Sequence, residues 1–106
     1  MNNIVYRSMN PGESQAVCEL VRKVFNEFVA PDYSEQGIEA FFSFANAQAM
    51  DQRIQSGGIV LVALQSDQLV GMVEFLPPDR IAMLFVSVQQ QGIAKQLLSR
   101  MISKAS

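Results

Sequence analysis

"IAMLFVSVQQQGIAKQLLSRM", residues 81–101, sets an apolar run against an amphipathic helix with a glutamine-and-glycine junction between them. Both alternating faces of the run, Ile81 to Val88, are apolar, which predicts a strand covered on both sides or laid against a partner. Beyond the junction Ile93, Leu97, Leu98, Met101 and Ile102 recur at helical spacing and form one face. A glycine turn that opens a helix leaves backbone N–H groups unpaired at the positive end of the helix dipole, so it can hold an anion without basic side chains. Gly92 lets backbone approach such a ligand, and Ala94 keeps the first turn small.

Upstream, Ile59 to Leu64 and Leu69 to Leu76 are apolar runs joined by "QSDQ", an antiparallel hairpin, and Pro77, Pro78 and Asp79 make a second reversal into the fourth strand. Ile4 to Met9 is the first strand. After it "NPGE" starts a helix, with Asn10 as cap, Pro11 at the first helical position and Glu13 placed for a capping box. Val17, Leu20, Val21, Val24, Phe25 and Phe28 form its apolar face. Pro31 ends it, and Ser34 caps a second helix whose inward stripe is Ile38, Phe41, Phe42 and Ala45, with Phe44 off the stripe. Met50 to Ser56 continues or restarts that helix, and Gly57 and Gly58 close it.

The composition narrows the chemistry. A chain of 106 residues, 49% apolar and 17% charged, predicts one compact domain of α/β class. With a net charge of −2 and its Lys and Arg scattered, it lacks the basic face that nucleic acid requires. It has no histidine and one cysteine, so zinc sites, histidine triads, thiol–imidazole pairs and an internal disulfide all lose their parts, no metal site is expected, and Cys18 reads as a small core residue. No signal-peptide pattern and no membrane-length apolar run is present, which predicts a cytoplasmic protein.

The order strand, helix, helix, three antiparallel strands, glycine turn, helix resembles the first two thirds of the GNAT superfamily of acetyl-CoA-dependent N-acetyltransferases, and the resemblance covers nearly the whole chain. Its most specific part is the pattern Gln or Arg, two residues, Gly, one residue, Gly or Ala, met by Gln89, Gln90, Gln91, Gly92, Ile93 and Ala94. "NEFVAPDYS" also leads into the second helix as in some bacterial members. The resemblance implies acetyl-CoA (CoA) as cofactor, with backbone groups of Leu84 and Val86 lining the pantetheine arm and N–H groups from Gln90 to Lys95 holding the pyrophosphate. It also implies a small amine as acceptor, taken up near Phe28, Asp32 and Tyr33 between the first two helices.

Two departures shape the expectation. Only Ser87 and Val88 separate "LFV" from Gln89, about two residues fewer than the family pattern. Family members also continue past this helix into a strand that splays from the fourth, another helix and further strands. The resemblance therefore implies a shortened GNAT-like domain over 1–106, a four-stranded antiparallel sheet with two helices after the first strand and one after the fourth, lacking the C-terminal strands. Direct acetyl transfer needs a base for the ammonium proton and an acid for the departing thiolate. The family's acid, often a tyrosine from the later region, has no counterpart here. For a base there is Glu74, the one charge inside the third strand, although its closeness to the Pro77 turn makes a solvated strand end the better reading. Phe25, Phe28, Phe41 and Phe42 stand at helical spacing and read as core, and Asp32 after Pro31 is ordinary turn chemistry.

Two functions of different kind are compatible with this reading. One is an N-acetyltransferase domain, or a remnant that binds acetyl-CoA weakly or not at all. The other is a non-enzymatic homodimeric binding or assembly domain that has lost the coenzyme cleft, paired through the Ile81–Val88 strand edge or through Leu97, Leu98, Met101 and Ile102 of the last helix. A truncated gene product is a third.

Overall fold

The computed structural model describes residues 3–87 and 92–105. Strand β1 (Ile4–Ser8) leads to helix α1 (Ser14–Val24), which runs on through a π turn (Phe25–Val29) and a 3-10 turn (Ala30–Asp32). Helices α2 (Glu35–Phe44) and α3 (Ala47–Gln55) follow, then strands β2 (Ile59–Gln65), β3 (Gln68–Leu76) and β4 (Arg80–Val86), and helix α4 (Ile93–Ala105). The four strands form one antiparallel sheet in the order β1-β2-β3-β4, the α/β arrangement that the sequence implies. No helix among the described residues is long and apolar enough to cross a membrane.

Strand alternation sends side chains to two cores. Val60, Val62, Met72 and Met83 meet Val17, Leu20, Val21 and Val24 of α1, together with Cys18 and Met50. Leu61, Ala63, Val70 and Val73 meet Ile93, Leu97 and Met101 of α4. Both faces of β4 are thereby used, Phe85 on the α1 side and Leu84 and Val86 on the α4 side. Gly71 lets α4 seat closely, since a Cβ there would lie 3.2 Å from side-chain atoms of both Ile93 and Leu97. Leu97 and Met101 are fully buried by this packing, so the expectation that they serve a second chain does not hold; Leu98 is half-buried and Ile102 is exposed.

Several local expectations are corrected. Helix α1 begins at Ser14, not Pro11, because Pro11 and Gly12 form a turn with Gly12 at φ +90°. Glu13 still makes its half of the expected box, accepting from the Asn10 N–H at 2.7 Å. Phe28 leaves the inward stripe and is 53% exposed, because the wider π turn breaks the 3.6-residue period that would have carried it inward. Phe44, read as off its stripe, is half-buried and packs on the α1-side core. The second helix restarts rather than continues: Ala45 and Asn46 break it, and the Asn46 side chain caps α3 by accepting from the Ala49 N–H. The fourth strand ends at Val86, and Val88 lies outside the described residues.

Glu13 also holds Arg7 through two bonds of 2.8 Å, tying the start of α1 to β1. The hydrogen bond from Arg7, followed by the Asn10 N–H, lowers its carboxyl to about 2. A carboxyl depressed on folding contributes stability above its unfolded value of about 4.5, and that contribution is lost as the pH falls toward about 2. Melting temperature followed from pH 5 to pH 2 should therefore drop less steeply in Glu13→Gln than in the wild type, whereas parallel curves would show that the pair contributes nothing.

Candidate functional site

The open side of β4 is the first element of the site. Ser87 donates its N–H to the Val70 carbonyl at 2.9 Å. Bonded and unbonded pairs alternate along an antiparallel ladder, so Met83 and Phe85 turn their backbone groups toward β3 while Leu84 and Val86 turn theirs outward. The Phe85 carbonyl oxygen lies 3.4 Å from where a Gly71 Cβ would be, as an inward-facing carbonyl must. Since β4 ends the strand order, no described strand pairs with the outward groups of Leu84 and Val86. The register slips between Glu74 and Phe75, leaving Ala82 as an extra residue on β4, a bulge that bends this edge.

Helix α4 starts just beyond that edge. Gly92 has φ +64°, the left-handed conformation glycine adopts without strain, and a Cβ there would meet nothing within 4 Å. Gln96 donates to the Gly92 carbonyl at 3.0 Å. The N–H groups of Ile93, Ala94 and Lys95 therefore fall in the opening turn, where a helix leaves its donors free. Ile93 is buried under the sheet, Ala94 half-buried and Lys95 exposed. Gln89, Gln90 and Gln91 lie outside the described residues.

On the α1 side an aromatic chain leads to the same strand. Tyr33 sets its edge against Phe25 at 5.3 Å, Phe25 stacks on Phe41 at 4.0 Å, and Phe41 meets Phe85 of β4 at 5.7 Å, all between ring centroids. Phe28, Asp32 and Tyr33 are exposed at the π and 3-10 turns that join α1 to α2. The structure thus keeps these three at one corner and links it through two packed rings to the open strand. Phe25 is fully buried and Phe41 half-buried, which agrees with their reading as core.

Glu74 is not a solvated strand end: it is 0% exposed. Its carboxylate accepts from Arg53 Nε at 2.7 Å and from Arg53 Nη2 at 3.0 Å. Arg53 Nη1 donates to the Phe44 carbonyl at 2.8 Å, and the guanidinium carbon sits 3.7 Å from the centre of the Phe44 ring. One arginine of α3 therefore ties β3 to the end of α2, the helix that carries Phe41. Sequence reasoning missed Arg53, for the pair spans 21 positions and neither partner stands in a motif. Asn46, also missed, did carry a signal, since asparagine is a favoured cap.

Comparison with known proteins gives consistent results. A family model described as "Acetyltransferase (GNAT) domain" matches residues 29–106. The uncharacterized N-acetyltransferase YafP of Escherichia coli (strain K12) is 30% identical over 108 residues, covering 100% of this chain and 70% of the relative. Among solved structures, the PaiA N-acetyltransferase of Thermoplasma acidophilum, in complex with coenzyme A, superposes with a TM-score of 0.83 at 20% identity, over 97% of this chain and 72% of that one. A GNAT family acetyltransferase of Brucella melitensis, in complex with acetyl-CoA, does so with a TM-score of 0.71 at 16% identity, over 99% and 70%. At these identities the superpositions speak for the fold.

Proposed function

The chain belongs to the GNAT acetyltransferase family, and we propose that the open edge of β4 and the start of α4 hold acetyl-CoA for transfer to a small amine. The observation that carries this reading is the run of backbone groups at Leu84 and Val86 that no strand among the described residues pairs, leading to the N–H groups of Ile93, Ala94 and Lys95 in the opening turn of α4. An amide-bearing pantetheine arm would bond to the former as another strand would. The latter, with Gly92 giving close approach, suit a pyrophosphate at the positive end of the helix. Gln89, Gln90 and Gln91 enter this reading through the signature alone.

The coenzyme, when bound, would supply the activated acetyl thioester. The acceptor would approach from the corner of Phe28, Asp32 and Tyr33, its cationic end toward the Asp32 carboxylate and its apolar part against the rings. We assign Glu74 to the scaffold rather than to proton removal, because Arg53 occupies both of its oxygens. Titration of acetyl-CoA and of CoA by calorimetry should show binding in the millimolar range, with amide shifts at Leu84, Val86 and Gly92 to Lys95. Neither heat nor shifts at millimolar coenzyme would overturn the proposal.

The same open edge supports a second reading, in which a second copy pairs along β4 and the chain acts as a homodimeric binding domain. That partner and the pantetheine arm would use the same groups, so coenzyme should dissociate the dimer.

A further inference from the structure

On the opposite edge of the sheet from β4, β1 and the last turns of α4 enclose a groove of about 550 Å³. Arg100 and Lys104 line it together with Ser8, Ser99 and Ser103, and no carboxylate side chain is among its described lining residues. Arg7 borders it too, but its guanidinium is turned to the Ser8 carbonyl and to Glu13, which neutralises it. Arg100 and Lys104 have no acidic partner among the described residues, although they stand one helical turn apart, where like charges repel. Arg100 is held across the Tyr6 ring, its guanidinium carbon 4.5 Å from the ring centre, which places the fork at the groove without using its N–H donors on a carboxylate among the described residues. Ser99 and Ser103 repeat at the same spacing, so one face of α4 presents two charges and two hydroxyls to one cavity.

We propose that this groove binds the phosphate group of a small molecule. A phosphate monoester carries a charge between about −1.5 and −2 at neutral pH and three acceptor oxygens. It can satisfy the Arg100 fork, the Lys104 ammonium and the serine hydroxyls together, whereas a carboxylate would be matched by the arginine alone. The helix dipole rewards a cation in its last turn and so accounts for Lys104 at most; it explains neither Arg100 nor the hydroxyls. The site lies at the far edge of the sheet from Leu84 and Val86, so it is separate from the proposed coenzyme track and does not depend on it.

The test is amide chemical-shift titration of the whole chain at constant ionic strength, with inorganic phosphate in one arm and glycerol phosphate in the other. Saturable shifts at Tyr6, Ser8, Ser99 and Arg100 are expected in at least one arm, reduced about tenfold in affinity by Arg100→Gln with Lys104→Gln at an unchanged melting temperature. Binding in both arms means that free phosphate suffices; binding of glycerol phosphate alone means that the organic part contributes. Equal shifts with chloride, no saturation in either arm, or full affinity in the double variant would overturn the site. Loss of phosphate shifts on adding CoA would support phosphate binding in the groove but overturn its separation from the coenzyme, since CoA carries a phosphate monoester of its own.

Discussion

Arg53→Met is expected to cost about 3–5 kcal/mol, because it leaves the Glu74 carboxylate fully buried without its partner. Against a typical stability of about 5–15 kcal/mol, that loss would bring a domain of this size close to unfolding. The pair differs from the Arg7–Glu13 bridge, whose side chains are 32% and 27% exposed and therefore screened by water. Here the side-chain exposures are 15% and 0%, and the guanidinium also satisfies the Phe44 carbonyl. Replacing both partners, as Arg53→Met with Glu74→Met, should recover most of the loss, since a buried pair is often no more stabilising than apolar residues of similar volume. Urea denaturation of the wild type, the single variant and the double variant checks both statements. A single variant with an unchanged midpoint would show that water already reaches Glu74. Glu74→Gln separates scaffold from chemistry, for it should leave coenzyme binding intact, and a loss of acetyl transfer at unchanged stability would return Glu74 to the role of base.

The contrast between Arg53 and the strands shows which information was local. The order of strands, the hairpin at "QSDQ" and the two-faced character of "IAMLFV" follow from alternation and turn residues, which act between near neighbours in sequence. Ser66 and Asp67 both take positive φ, as a tight two-residue hairpin turn requires. The inward stripes failed where geometry changed the period: Phe28 faces solvent because a π turn intervenes, and nothing in "FNEFV" announces one. Phe44 looked misplaced on α2 by itself, yet it gains a partner from α3, which the helix break at Asn46 brings back across it. Glu74 reads as a strand end from its distance to Pro77, but its burial is decided by an arginine on another element.

For the site the division is similar. The glycine at the head of α4 and the apolar strand before it are legible because backbone conformation is dictated by Gly92 and by strand periodicity. Which backbone groups of β4 face outward is not, for that depends on the register against β3, which the sequence does not state. The corner of Phe28, Asp32 and Tyr33 could be placed between two helices, but its connection to β4 runs through the stacking of Phe25 on Phe41 and of Phe41 on Phe85, contacts between residues far apart in the chain.

That register yields the second large effect. Val86→Pro is expected to remove coenzyme binding from the measurable range while leaving the protein folded, whereas Phe85→Pro should unfold it. Proline lacks an N–H and is tolerated on an edge strand only where that N–H would face away from the ladder. At Val86 the group lost is one of the outward donors proposed for the pantetheine arm, and no bond to β3 goes with it. At Phe85 the group lost is directed toward β3, and the ring that packs on Phe41 disappears as well. A proline on the edge also blocks pairing with another strand, so a homodimer built along β4 should fall to monomer in Val86→Pro. Calorimetry, solution mass and circular dichroism of the two variants distinguish the cases. Wild-type coenzyme affinity in a folded Val86→Pro would exclude the edge as the coenzyme track, and a loss of dimer with no wild-type coenzyme binding to lose would leave the edge to a second copy of the chain.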